Sequence, residues 1–174
     1  PAGVAVHSSQ GLDHLSTAGI RGSDIWTNTA PSSLATLLAE RGEERSVSGL
    51  RQIVSFGGGG FSMEAGNPLL DRFVLELTGK ERPRVCFLPS ASGDADHYVV
   101  RFYRHFPADR CEASHLSLFR RERAPVDPAE HLLAQDLIYV GGGSVRSLLG
   151  VWRAHGIDEI LREAWERGVI LCGL

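Results

Sequence analysis

The chain has 174 residues, 43% of them hydrophobic and 22% charged, with a net charge of -3. That size and balance suit one soluble domain with a real core and argue against a dedicated basic nucleic-acid surface. No apolar run nears the roughly 18 residues of a membrane span, and no secretory signal pattern is found.

Residues 1–48 are rich in Gly, Ser, Thr and Ala and keep no sustained period of two or 3.6. The stretch from Ser32 to Arg41 reads as one short helix, Ser-capped and ended by Gly42. The remainder is expected to be a poorly structured or non-native leader. From Gly49 the pattern changes, and residues 49–174 read as one α/β domain. Arg51 to Phe56 predicts a strand running into Gly57-Gly58-Gly59-Gly60. Asn67 then caps a helix with Pro68 at its first position, and Leu69, Leu70, Phe73, Val74 and Leu77 form its apolar stripe. Gly79 ends it.

Val85 to Leu88 predicts the next strand, stopped by Pro89. The segment Ser90-Ala91-Ser92-Gly93-Asp94 leads to a helix carrying Tyr98, Val99, Phe102, Tyr103 and Phe106. A strand near Glu112 to Leu118 follows, then an Arg- and Pro-rich loop and a short helix near Pro128 to Ala134. Leu137 to Val140 enters a second glycine turn, Gly141-Gly142-Gly143-Ser144. The helix after it carries Val145, Leu148, Leu149 and Trp152, and Gly156 breaks it. A further helix carries Ile157, Ile160, Leu161, Ala164 and Trp165, and Val169 to Cys172 forms the last strand. Near-continuous apolar strands alternating with helices mark a parallel sheet covered on both faces. Ligands in such folds bind beyond the carboxyl ends of the strands, where both glycine turns and the Ser90 to Asp94 loop fall.

Neither turn is a dinucleotide fingerprint. Gly-x-Gly-x-x-Gly fails at Ser62, Met63 or Arg146, depending on the starting glycine. The sole lysine gives Gly79-Lys80-Glu81, without the hydroxyl that a Walker A loop uses for magnesium. Generic phosphate binding at a helix N-terminus stays open. Cys86, Cys111 and Cys172 form no Cys-x-x-Cys pair; Cys86 and Cys172, inside apolar runs, are expected to be buried, inert thiols, and a reducing cytoplasm is expected. His97 and His105 lack a third ligand at metal spacing. They, with His115 and His155, read as structural bystanders. Asp94 and Asp96 open a helix, where carboxylates suit the dipole.

Runs of three and four glycines exceed what a tight turn needs and suggest close approach to the backbone. An oxyanion hole is one use of such exposed N–H groups, and Gly142 and Gly143 are the candidates. The final Leu171-Cys172-Gly173-Leu174 resembles the first half of a Gly-x-Ser-x-Gly nucleophile elbow.

Taken together, residues from about 51 to 174 resemble the peptidase E-like (aspartyl dipeptidase) family. The matching stretches are Gly57 to Met63, Asn67 to Asp71, Cys86 to Asp94, Tyr139 to Ser144 and Leu171 to Leu174. The resemblance implies a class I glutamine amidotransferase-like (flavodoxin-like) three-layer α/β fold, here incomplete at the C-terminus. It implies a serine-type hydrolase of short peptides with N-terminal Asp, needing no metal or cofactor. The nucleophile is expected just after Leu174, and the catalytic His and acid further on, so the fragment is expected to be inactive. The substrate cleft would be lined by Gly58, Gly59, Ser90, Ser92, Asp94 and Ser144. Ser144 departs from the Asn common in the family. The partners expected are a short peptide and, as an option, a second copy in a homodimer; no nucleic acid or membrane is expected. Rival readings are a cyanophycinase-like or other acyl hydrolase, a thiol glutaminase if Cys follows Leu174, and a non-catalytic phosphate or small-molecule module.

Overall fold

The computed structural model describes residues 4–8, 51–64, 66–119 and 127–174. The helix expected over residues 32–41 and residues 120–126 of the Arg- and Pro-rich loop lie outside them. Five parallel strands form the sheet: β2 (Gln52–Phe56), β3 (Arg84–Leu88), β4 (Glu112–His115), β5 (Leu137–Val140) and β6 (Ile170–Gly173). A sixth strand, β1 (Val4–Ser8), pairs antiparallel with β2, Val4 opposite Phe56. These five residues fall within the stretch read as a leader. No periodic signal marks them, because a five-residue strand is too short to stand out from a Gly- and Ser-rich background.

The strand order is β1-β2-β6-β5-β3-β4. From β3 onward the chain follows the flavodoxin-like order: β3 has β4 on one side and β5, then β6, on the other. The order reverses between β3 and β5, and in such sheets ligands bind beyond the carboxyl ends near this switch point. The α/β fold read from the sequence is the one observed. The place of β2, between β1 and β6, could not be read from the linear pattern.

The helices are α1 (Gly60–Met63), α2 (Leu69–Glu76), α3 (Asp96–His105), α4 (Pro128–Leu133), α5 (Val145–His155) and α6 (Ile157–Glu166). A 3-10 turn, Ser90–Ser92, precedes α3. Successive strand residues point to opposite faces, so Val85 and Phe87 enter one core and Cys86 and Leu88 the other. The first core holds Phe61, Val74, Phe102 and Phe106 from α1, α2 and the α3 end. The second holds Leu132, Ile157, Leu161 and Ala164 from α4 and α6, with Trp152 of α5 at its margin. Two separate clusters across one sheet make the three layers.

Local chemistry accounts for the helix ends. Asp127 caps α4, its carboxylate accepting the N–H groups of Ala129 at 2.7 Å and Glu130 at 3.4 Å. Gly156 sits at φ 65° between α5 and α6, where a left-handed residue breaks the helix. The expected Asn67 cap shifts by one residue: Pro68 occupies the cap position, and the Asn67 side chain accepts the Leu69 N–H at 3.2 Å. Two residues of the expected apolar stripes, Leu69 and Val145, are largely exposed. Both lie in a first helical turn, which follows a turn at the carboxyl end of a strand.

Candidate active-site cleft at the strand ends

Register sets the site. In the sheet Ser55 of β2 pairs with Gly173 of β6, and Val140 of β5 pairs with Gly173 from the other side. The Gly57–Gly60 turn that follows β2 and the Gly141–Gly143 turn that follows β5 therefore flank the end of β6. The sequence placed both turns at the strand ends. It did not place them on either side of Leu174.

The second turn is locked by backbone packing. Gly141 donates its N–H to Leu88 O at 3.0 Å, and Ser144 donates to Ala91 O at 2.7 Å. A Cβ on Gly143 would lie 2.3 Å from Ala91 O, and its φ is 144°. A Cβ on Gly141 would strike the Phe87 ring at 2.9 Å, and one on Gly173 would strike Val140 O at 2.6 Å. Gly142 differs: its Cβ would meet only the Leu174 side chain, Cβ at 3.4 Å and Cδ1 at 3.7 Å. Among the described residues, neither Gly142 nor Gly143 donates its N–H to a backbone carbonyl. Both candidate oxyanion donors thus have N–H groups uncommitted to the backbone, and Gly142 sits beside Leu174 at the end of β6.

The first turn is built differently. Gly58, Gly59 and Gly60 have φ of 131°, 86° and 66°, a run that only glycine sustains without strain. Among the described residues, Gly58 and Gly59 also donate to no backbone carbonyl. Below them Phe61 is buried, and its N–H is accepted by Asp71 Oδ1 at 3.3 Å. A Cβ on Gly60 would meet Tyr139 Oη at 2.8 Å and Asp71 Oδ1 at 3.4 Å. The turn therefore rests on buried polar side chains.

The remaining cleft candidates turn out to be occupied by structural bonds. Ser90 is fully buried and accepts the Trp152 Nε1–H at 3.2 Å, pinning the 3-10 turn to α5. Ser92 donates to Pro89 O at 2.8 Å and accepts the Ala95 N–H at 3.4 Å. Ser144 caps α5, accepting the Ser147 N–H at 3.3 Å and its hydroxyl at 3.0 Å. Asp94 is 1% exposed at φ 58°, and its Oδ2 accepts the Phe119 N–H at 2.7 Å. It ties the loop after β3 to the segment after β4 rather than capping α3, whose cap position is Ala95.

Two buried titratable groups, Asp71 and Tyr139, lie against Gly60 of the first turn, and others sit within the sheet. Burial lifts Asp71 from its ordinary 3.8 to about 6, against the Phe61 N–H and the charge of His105, which lower it. Burial, then the charges of Cys172 and Asp71, push Tyr139 up. Burial, then Asp71, raises Cys172 well above 9.0. Cys86 is pushed by burial to about 12, so the thiols are poor nucleophiles. All three cysteines are buried and free. His115 accepts or donates a bond with Tyr103 Oη at 2.8 Å, and burial lowers its pKa. Among the described residues, no group of three or more His, Cys, Asp and Glu could hold a metal ion. No described helix is long and apolar enough to cross a membrane.

Sequence reasoning missed Asp71 and Tyr139. The available signal was a carboxylate on the buried stripe of α2, three residues before Val74, and a hydroxyl within an otherwise apolar strand.

A doubly wound α/β sheet with two glycine turns flanking one strand end defines a protein of the flavodoxin-like type. Comparison with known proteins sharpens this. The model of peptidase family S51 matches residues 53–174, and the chain belongs to that family. A curated relative, the uncharacterized peptidase YgaJ of Bacillus subtilis (strain 168), is 48% identical over 125 residues. The matched region covers 72% of this chain and 54% of YgaJ, so the chain spans about half the length of that relative. A 1.5 Å crystal structure from Listeria monocytogenes EGD-e, provisionally described as a peptidase E protein, is 22% identical with a TM-score of 0.47. It aligns over 61% of this chain and 51% of that one.

Proposed function

We propose that this chain forms the oxyanion-binding part of the active site of a serine-type peptidase acting on short peptides with N-terminal Asp. The observation that carries the reading is the register at Gly173, which sets uncommitted glycine N–H groups beside the end of β6. A residue following Leu174 in the full-length protein would emerge between the two turns. We assign that position to the nucleophile, a Ser.

In this mechanism the Ser Oγ attacks the peptide carbonyl carbon, and a His later in the sequence takes its proton. The carbonyl oxygen becomes an oxyanion, held by the Gly142 or Gly143 N–H and by the N–H after the nucleophile. The intermediate collapses when the His returns its proton to the departing amine. Water then hydrolyses the acyl-enzyme by the same steps. No metal or cofactor is required. Membership of peptidase family S51 supports hydrolysis, and Gly142 supports the role: nothing in its own packing forbids a side chain, so its glycine suits an approaching ligand.

The test compares the full-length protein with its Ser-to-Ala variant at the position after Leu174, assayed on Asp-X dipeptides. Cleavage that falls to background in the variant is expected. Equal activity in both overturns the serine mechanism. A Cys at that position would place the enzyme among thiol acyl hydrolases, and stabilisation by phosphate or nucleotides without any cleavage would favour a binding module.

A further inference from the structure

The first glycine turn carries no side chain to hold it, yet it borders the cleft. Its support comes from beneath. The Phe61 ring is 1% exposed and packs at 5.1–5.9 Å against Tyr139, Phe87, Phe102 and Phe106. The Phe61 N–H meets Asp71 Oδ1, and Asp71 is 2% exposed. Its other oxygen, Oδ2, has no hydrogen-bond partner among the described residues, and neither has the Tyr139 hydroxyl. A buried carboxylate left half-satisfied is a poor way to fill space. An apolar side chain of that volume would stabilise the core more, so the carboxylate is better explained by what it holds.

We propose that Asp71 is a positioning residue, whose carboxylate holds the first glycine turn through the Phe61 N–H and so sets where Gly58 and Gly59 face the cleft. The hold itself is structural; its effect on turnover rests on the peptidase reading. The groups facing Asp71 are His105 on α3, Tyr139 on β5 and Cys172 on β6. Arg101 donates to Ser62 O at 3.1 Å, adding a second tie to α1. An ionised carboxylate accepts a hydrogen bond more strongly than a neutral one. The Phe61 bond therefore tightens as Asp71 loses its proton, near pH 6.

The experiment follows the Phe61 amide proton by NMR against pH in the labelled full-length protein. A shift with a midpoint near 6 is expected, unchanged in its amplitude by His105→Gln and absent in Asp71→Asn. In the peptidase assay Asp71→Asn should lower kcat/KM by about 10- to 100-fold, the scale of a small misplacement of a catalytic group. It should also remove the acidic inflection of the wild-type pH profile. A Phe61 amide that does not titrate, or that titrates equally in Asp71→Asn, overturns the hold. An Asp71→Asn profile that overlays the wild type overturns the positioning role. Should the wild type cleave no peptide while Phe61 titrates as expected, the peptidase reading falls and the hold stands. Should Asp71→Asn fail to fold, the Phe61 titration in the wild type and in His105→Gln still decides.

Discussion

The two glycine turns flank the same strand end, yet they are held by different physics. The Gly141–Gly143 turn is clamped backbone to backbone, with Gly143 pressed onto Ala91 and two N–H groups donated to Leu88 and Ala91. The Gly57–Gly60 turn lies over side chains, Asp71 and Tyr139, that approach Gly60. Backbone contacts do not titrate and cannot be trimmed by mutation. Side-chain contacts can do both. One wall of the cleft is therefore fixed in shape, and the other responds to pH and to single substitutions.

The largest expected effect tests the fixed wall. Gly143→Ala puts a methyl group against the Ala91 carbonyl and forces a side chain to adopt a φ of 144°. It should cost about 3–5 kcal/mol in urea unfolding. A cost below about 1 kcal/mol would mean that the second turn is as pliable as the first.

Next comes pH. The folded state raises Asp71 from 3.8 to about 6, so it binds more protons than the unfolded chain within that window. This group's contribution is most favourable below pH 3.8 and is lost as pH rises through 6. From pH 4 to pH 7 the wild type should therefore lose stability relative to Asp71→Asn, by on the order of 3 kcal/mol. Parallel unfolding curves across that range would remove the distinction between the walls.

Gly60→Ala should cost about 2 kcal/mol, because its Cβ meets the Tyr139 hydroxyl at a φ of 66°. Tyr139→Phe removes the obstructing oxygen and should restore about half of that in a double-mutant cycle. No comparable rescue exists for Gly143, whose obstacle is main chain. Ser144→Ala removes the α5 cap and should cost about 1 kcal/mol in the same unfolding assay.

The smallest effect on stability is the most telling for function. Gly142→Ala should stay within about 0.5 kcal/mol of wild type, since its Cβ meets only Leu174 at an ordinary distance. Under the peptidase reading proposed above, the same change in the full-length protein should lower kcat by at least about tenfold, because the added methyl would crowd the proposed oxyanion donors. Unchanged turnover would return Gly142 to a plain turn residue.

The elements were legible where one local rule acted alone. β5 was read from an unbroken apolar run, α4 from its short pattern after the loop, and Gly156 from its helix-breaking place. The cleft was legible only as a set of strand ends. Ser90, Ser92, Asp94 and Ser144 were expected to line it, and in the structure their side chains are tied to Trp152, Pro89, Phe119 and Ser147. Hydrogen-bond partners such as Trp152, 62 residues from Ser90, follow from tertiary contact and leave no trace in spacing.

By itself the sequence determined the alternation of buried strands and helices, hence a covered parallel sheet, and it singled out both glycine turns through their excess of glycine. These are local properties, carried by period and by backbone freedom. Tertiary structure alone decided that β2 joins the sheet beyond β6, which brings the two turns to either side of one strand end. It also decided that one turn rests on backbone and the other on a buried carboxylate. Strand order and burial depend on contacts between distant segments, and those are set by the packed sheet rather than by any stretch of chain.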